Sequence, residues 1–215
     1  MKMKKMNKKG FTLIELLAVI VILGLLMAIA IPSVTKYITQ SRKKTLVNSI
    51  DSFVTSATTA VNNNEFGALS NQDNMYYIPV SNDATKSCIS LEKGGTDPFG
   101  TWKNAYVVVN YDASKYSYDY YFTFFDDAGY GMALTKSDQI KPSGDNQIVN
   151  PTPVNDDASS DKHILAQIDG RAKQGGQVIV LKAGDCTVAN ADKYNITSVN
   201  TVDGVKKVTI NGPIS

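Results

Sequence analysis

The chain has 215 residues, of which 43% are hydrophobic and 20% are charged. These values exclude a collagen-like chain, a wholly disordered chain and a multispan membrane protein. The formal net charge is +2, but five of the 22 basic residues are lysines within the first ten positions, so residues 11–215 carry 17 basic against 20 acidic residues, a net charge of −3. The sequence therefore predicts no nucleic-acid partner for the folded part, because such a partner needs a basic face.

Residues 11–31 form an apolar run with a single charged residue, Glu15. As a helix this run is roughly 31 Å long, which matches the hydrocarbon core of a bilayer. The basic residues 1–10 precede it, as in a secretory signal peptide. Glu15 inside the run, and Pro32 shortly after the small residues Ala28 and Ala30, argue against an ordinary signal peptide. The run is therefore predicted to span the membrane once.

Glu15 needs a partner, because a carboxylate in the hydrocarbon region costs ~2.5 kcal/mol or more. No Lys, Arg or His occurs between Phe11 and Val34. The cation must then come from another chain or from a newly formed α-amine. The alternative is that Glu15 lies near the interface and extends its carboxylate into water.

Residues 8–16 read KKGFTLIEL and resemble the prepilin cleavage motif of type IV pilins and type II secretion pseudopilins. The resemblance implies cleavage between Gly10 and Phe11, and N-methylation of the new terminal residue, Phe11. It also implies that Glu15 of an incoming subunit pairs with the Phe11 amine of a neighbouring subunit in the filament.

Gly24 and Pro32 match the glycine inside the family's apolar segment and the proline that closes it. The resemblance implies that the helix loosens between these positions in the filament. The alternative is that both are ordinary residues of a membrane helix, where glycine and proline are frequent.

The resemblance also implies the fold, location and partners. The fold class is α+β, a type IV pilin fold with a long N-terminal α-helix packed on an antiparallel β-sheet head. The precursor lies in the cytoplasmic membrane with the leader inside and the head outside, and the mature subunit then joins an extracellular pilus. The partners are other copies of the chain, a prepilin peptidase/methylase, the inner-membrane assembly platform, minor pilins, and membrane lipid before assembly. No cofactor is implied.

Residues 33–62 continue the predicted helix to Asn62, and asparagines 62–64 are suited to its end. Apolar residues recur in this part at steps of three and four, which is the pattern of a helix that buries one face. They are Leu46, Ile50, Phe53, Ala57 and Ala60.

Strand patterns begin near residue 76. Residues 76–80 predict an edge strand, because Pro79 cannot donate a hydrogen bond to a neighbour. Residues 105–111, 116–125 and 129–134 predict a three-stranded antiparallel meander packed on the helix. Further strands are predicted at 177–182 and 205–210.

Two segments between these strands are predicted to be irregular. Residues 97–100, Asp-Pro-Phe-Gly, resemble a turn that precedes the sheet in several pilins and pseudopilins. Residues 137–162 are polar and proline-containing, and they predict a long surface loop that separates the meander from a C-terminal subdomain of residues 163–215.

Cys88 and Cys186 are the only cysteines. An extracellular head would allow a disulfide between them, and many pilins close a C-terminal loop in this way. The loop of 98 residue steps is much larger than the family's usual one. The alternative is a pair of buried or free thiols.

The sequence favours neither a metal site nor an enzyme. Acidic residues cluster at 126–127 and at 156–161, but their spacing matches no calcium loop. His163, the single histidine, has Asp161 and Asp169 nearby in the sequence, but no nucleophile, CxxC or phosphate-loop motif accompanies it.

The predicted organisation is a cleaved basic leader (1–10), a membrane and filament-core helix (11–32), the amphipathic half of the same helix (33–62) and a globular head (63–215). Three hypotheses for function remain. The first is a major type IV pilin that serves adhesion, surface motility or biofilm formation. The second is a pseudopilin of a secretion or DNA-uptake (competence) system. The third is a membrane-anchored extracellular binding domain that does not polymerise.

Overall fold

The computed structural model describes residues 12–70, 72–89, 91, 98–141, 173–202 and 205–214. One long helix, α1, runs from Leu13 to Asn62. The strands in these residues are β1 (Met75–Pro79), β2 (Trp102–Asp112), β3 (Ser117–Asp126), β4 (Gly131–Lys136), β5 (Gln177–Val180), β6 (Asp192–Val202) and β7 (Val205–Ile214). The chain divides into two compact units, Met1–Ser41 and Arg42–Ser215, and the second unit, which we call the head unit, contains the sheet.

A backbone turn at Asn64 ends α1, and the φ of 60° at this residue is a left-handed conformation. The amide of Glu65 donates to the carbonyl of Ala60 at 2.9 Å, and the amide of Asn64 donates to that of Val61 at 3.0 Å. These bonds form a Schellman motif, in which asparagine tolerates the left-handed conformation better than most residues. The helix therefore ends at Asn62, as predicted from the three asparagines.

The second half of α1 packs one face on the sheet. Its buried residues are Leu46, Val47, Ser49, Ile50, Phe53, Val54, Ala57 and Ala60. The Phe53 ring lies 5.2 Å from the ring of Trp102 on β2, which in turn contacts Phe122 and Phe124 on β3. This packing confirms the predicted α+β fold.

The predicted meander is confirmed as β2, β3 and β4, which pair antiparallel in chain order. The hairpin between β2 and β3 is closed by Asp112, whose carboxylate accepts from the Lys115 ammonium at 2.6 Å and from the Ser114 amide at 2.9 Å. The ion pair with Lys115 and the hydrogen bonds from Ser114 hold the pKa of Asp112 below its ordinary value.

The prediction that β1 is an edge strand was wrong. The strand order is β4-β3-β2-β1-β5-β6-β7, so β1 lies at the centre. Its pairing with β5 involves only Met75, Tyr76 and Tyr77. Pro79 is the last residue of β1 and lies beyond this pairing, so its missing N–H removes no bond between β1 and β5.

The parallel pairing of β1 with β5 brings the C-terminal strands into the same sheet. Asn74, directly before β1, is buried and connects the two strands at their starts. Its side-chain oxygen accepts from the Gln177 amide at 3.0 Å, and its backbone oxygen accepts from the Asn110 side chain at 3.1 Å. Strands β5 to β7 therefore extend the sheet of the meander instead of forming a separate one.

Strand β6 was not predicted. It forms a hairpin with β7, and the Asp-Gly pair at 203–204 between the two strands is a strong hairpin sequence that could have indicated it. Strand β5 is two residues shorter than predicted and β7 is four residues longer.

The sheet has a second apolar cluster on its other face, as the alternation of side chains in a strand requires. In β1, Tyr76 and Ile78 join the cluster that contacts the helix, whereas Met75 and Tyr77 join the second cluster. Side chains of the β6–β7 hairpin pack against this second cluster, among them Val199, Val208 and Ile210. Both faces of the central strands are therefore buried.

The turn before β2 packs closely against the turn after β3. The Thr101 amide donates to Asp127 Oδ1 at 2.8 Å, and a Cβ on Gly100 would lie 2.3 Å from that same oxygen. This contact explains the glycine at the end of the predicted Asp-Pro-Phe-Gly turn, whose first residue lies outside the described residues. Of the predicted polar loop, Ser137–Gln139 forms one turn of 3-10 helix, and residues 142–162 lie outside the described residues.

A disulfide joins Cys88, which follows β1, to Cys186, which follows β5. The Cys186 amide donates to the carbonyl of Lys182 at 2.8 Å, and the Cys88 amide donates to that of Pro79 at 2.8 Å. The disulfide therefore ties together the chain segments that leave the two parallel strands of the sheet.

Replacing both Cys88 and Cys186 with serine is expected to lower the free energy of unfolding of the head unit by ~2–5 kcal/mol, because the unfolded chain regains the entropy of a large loop. Urea unfolding followed by the emission of Trp102, the single tryptophan, measures this. A reductant should reproduce the loss in the natural chain and leave the double variant unchanged. Equal midpoints for the natural chain and the double variant would contradict the prediction.

Phe53→Ala is expected to lower the free energy of unfolding by ~3–5 kcal/mol, since it opens a cavity between the helix and Trp102. Thr55→Ala is the matched control on the exposed side of the same helix, with an expected change within about 0.5 kcal/mol. Urea unfolding of both variants tests this. A loss below about 1 kcal/mol for Phe53→Ala would mean that the helix face contributes little to the core.

Candidate functional site

The predicted processing and assembly residues lie at the start of the chain. Gly10 and Phe11 lie outside the described residues, as does the basic leader of residues 1–10. The first described residue is Thr12, and α1 begins at Leu13, two residues later than predicted. Of the predicted set, Glu15, Gly24 and Pro32 lie on α1.

Thr12 and Glu15 form a reciprocal pair at the start of α1. The Thr12 amide donates to Glu15 Oε2 at 2.8 Å, and the Glu15 amide donates to Thr12 Oγ1 at 3.3 Å. This is a capping box, which satisfies two amides that a helix otherwise leaves without partners. Thr12 was not among the predicted assembly residues, although the spacing Thr-x-x-Glu before an apolar run indicates its role.

The capping box fixes the position of the Glu15 carboxylate without exhausting its capacity to accept hydrogen bonds. A carboxylate accepts up to about four, and the contacts within the chain engage Oε2. Glu15 is exposed, and no cation lies within salt-bridge distance of it among the residues from Thr12 onward that the structure describes. An external amine can therefore reach the carboxylate.

The apolar side chains around Glu15 are not covered by any part of the chain that the structure describes. The large apolar residues between Leu13 and Ile31 are 46% to 84% exposed. The helix is long and apolar enough to cross a membrane. Since so large an apolar surface is unfavourable in water, this segment needs an apolar environment around it.

Gly24 and Pro32 lie eight residues apart on this helix. A Cβ on Gly24 would meet nothing within 4 Å, so packing within the chain does not require a glycine there. Pro32 has no N–H to donate to the Ala28 carbonyl, which weakens the helix locally. The Thr35 hydroxyl donates to the Ile31 carbonyl at 3.0 Å, a bond that often accompanies helix bending.

Among the described residues, no group of three or more His, Cys, Asp or Glu side chains could hold a metal ion. The acidic residues at 156–161, together with His163 and Asp169, lie outside the described residues.

Thr12→Val is expected to expose the Glu15 amide, because valine keeps the shape of threonine but cannot accept the hydrogen bond. Loss of a cap of ~1 kcal/mol corresponds to amide exchange about fivefold faster. Hydrogen exchange of the full chain in detergent micelles, measured by NMR, tests this. Thr12→Ser is the control and should exchange like the natural chain, whereas equal rates for valine and threonine would contradict the capping role.

Comparison with known proteins gives two partial matches, both shorter than the chain. The family described as the prokaryotic N-terminal methylation motif matches residues 5–31. A ComG operon protein 3 homolog from Bacillus licheniformis is 43% identical over 53 residues, which cover 23% of this chain and 55% of that protein. The match thus spans about half the length of the relative. No solved structure matches the chain.

The matched residues include Thr12, Glu15 and most of the exposed apolar run, so the comparison and the geometry concern the same segment. The resemblance of residues 8–16 to the pilin and pseudopilin motif is confirmed by this match. The N-terminal segment of the chain therefore carries the prokaryotic N-terminal methylation motif.

Proposed function

We propose that the chain is a structural subunit of a pilin-like filament, made as a membrane-anchored precursor that is cleaved between Gly10 and Phe11 and methylated on Phe11. The observation that carries this proposal is the methylation motif at residues 5–31, which includes the first part of a helix whose apolar side chains are exposed. The findings point to a structural protein of this class and not to an enzyme.

Glu15 is the proposed assembly residue. Cleavage would leave a positive amine on Phe11, and the Thr12 amide that Glu15 caps would remain in the mature chain. The Glu15 carboxylate of an incoming subunit would then accept from the Phe11 amine of a neighbour. An unpaired charge in an apolar environment is costly, so this pairing would select the correct axial position of each subunit.

The apolar segment would exchange lipid for neighbouring helices during assembly. Both environments are apolar, so the hydrophobic effect supplies little of the driving force. Van der Waals packing and the pairing of Glu15 with Phe11 would guide the step instead. Gly24 and Pro32 would allow the helix to loosen where subunits crowd together, since a helix is cheapest to open near proline.

The finer assignment that we propose is a major type IV pilin, with the head on the outside of an extracellular pilus used for adhesion, surface motility or biofilm formation. The size of the head supports it. The 53 matched residues cover 55% of the relative from Bacillus licheniformis, which corresponds to a length of about 96 residues. This chain has 215 residues, so its head is larger than that whole relative. The proposed partners are other copies of the chain, a prepilin peptidase/methylase, the assembly platform in the membrane, and minor pilins.

A second candidate is a pseudopilin of a secretion or DNA-uptake (competence) system, which would form a short filament. The partial match to a ComG operon protein homolog is the observation that favours it. Deleting the chain would then abolish secretion or transformation by DNA without removing any long surface filament.

Electron microscopy of producing cells, with gold-labelled antibody against the head, tests the proposal. We expect long labelled filaments on cells that produce the natural chain. Cells that produce Glu15→Ala should lack them, because a subunit that does not assemble stays in the membrane. Glu65→Ala is the matched control, since it removes an exposed carboxylate of the head unit and should leave the filaments intact.

Label confined to the envelope in all three strains would overturn the assignment as a major pilin. Normal filaments in Glu15→Ala would overturn the role of Glu15. If no strain formed labelled filaments and Glu15→Ala changed neither secretion nor transformation, the chain would be a membrane-anchored binding domain that does not polymerise.

A further inference from the structure

A cleft of about 360 Å³ lies beside the start of β6 on the head unit. This volume is within the range of small-ligand sites. Six of the lining residues bear on its chemistry, namely Gln177, Lys182, Asn190, Asp192, Lys193 and Ile214. The cleft is far along the sequence from the methylation motif, and no pilin-like property of the chain accounts for it.

The loop between β5 and β6 forms one wall of the cleft, and its own contacts hold it in place. The Asp185 carboxylate accepts from the Thr187 hydroxyl at 2.9 Å and from the Asn190 side-chain amide at 2.6 Å. Cys186 of the same loop is tied to Cys88 by the disulfide. A wall that is already ordered costs little entropy when a ligand binds, so the loop is preorganised.

The charges of the cleft leave one cation available to a ligand. Lys182 Nζ lies 2.7 Å from Asp192 Oδ1, and these two charges balance. The Lys193 ammonium has no acidic side chain within salt-bridge distance among the residues that the structure describes. Lys193 is therefore the cation of the lining that remains for an anionic group of a ligand.

The remaining polar groups of the lining can accept hydrogen bonds from ligand hydroxyls, and Ile214 can contact an apolar surface of a ligand. The Gln177 side-chain nitrogen donates to Asn195 Oδ1 at 2.9 Å, which leaves the Gln177 oxygen as an acceptor. The Asn190 amide nitrogen is engaged with Asp185, so its oxygen is also an acceptor. Ile214 is 42% exposed at the cleft.

We propose that this cleft binds an acidic sugar, with its carboxylate on Lys193, its hydroxyls on Gln177 and Asn190, and the C–H face of its ring on Ile214. A metal cation fits poorly, because the single carboxylate of the lining is already paired with Lys182. A simple anion such as phosphate would leave the hydroxyl acceptors and Ile214 unused. The proposal is independent of whether the chain polymerises.

The test uses the full chain in detergent micelles and two probes, methyl β-D-glucuronide and methyl β-D-glucoside, which differ only in the carboxylate. Binding is followed by NMR shifts of the backbone amides of Asn190 and Lys193. We expect the glucuronide to bind about tenfold more tightly, the gain typical of one charge-assisted hydrogen bond. Lys193→Gln should abolish this preference, whereas Lys103→Gln, which removes an exposed lysine of β2, should retain it.

Four results would overturn the proposal. They are equal affinity for the two sugars, no saturable binding of either, an unchanged preference in Lys193→Gln, and inorganic phosphate binding as tightly as the glucuronide. The last result would identify a general anion site. The Cys88→Ser, Cys186→Ser double variant adds a further check, since loosening the loop should weaken glucuronide binding while Trp102 emission still reports a folded head.

Discussion

The face of α1 from Leu46 to Ala60 packs on the sheet and forms with it the larger of the two apolar clusters of the head. The helix covers the aromatic side chains of β2 and β3, with Phe53 and Trp102 at the centre of the contact. Those strands hold β1 in the middle of the sheet, and β1 in turn pairs with β5. A sheet with one uncovered apolar face is not stable in water, so this half of the helix is part of the head's core.

The first half of the same helix meets a different constraint. Its apolar side chains are exposed in every direction, so a single chain in water leaves this apolar surface without a cover. The capping box of Thr12 and Glu15 completes its first turn and places a carboxylate at the start of an apolar surface. One residue thus serves two purposes in our proposal, since Glu15 caps its own helix and remains open to the amine of a neighbouring subunit.

Two long-range connections give the head its rigidity outside the helix contact. Asn74 joins the starts of β1 and β5, and the disulfide of Cys88 with Cys186 joins the segments that leave their ends. Between them, the parallel pair of strands is secured at both ends. The loop secured by Cys186 then forms one wall of the cleft beside β6, so in our proposal a connection that stabilises the fold also bears on ligand binding.

The sequence by itself determined the local features. A basic leader, a helix with one carboxylate in an apolar run, its end at the asparagines, and the meander of β2 to β4 all follow from patterns within short segments, because capping, periodicity and turns act over a few residues. Only the tertiary structure decided that β1 is central, that β5 pairs with it in parallel, and that Cys88 meets Cys186. The cleft lined by Lys193 and Asn190 also belongs to this group. These features join residues up to about a hundred positions apart, and such pairings are selected by the packing of the whole core, which no short segment of sequence encodes.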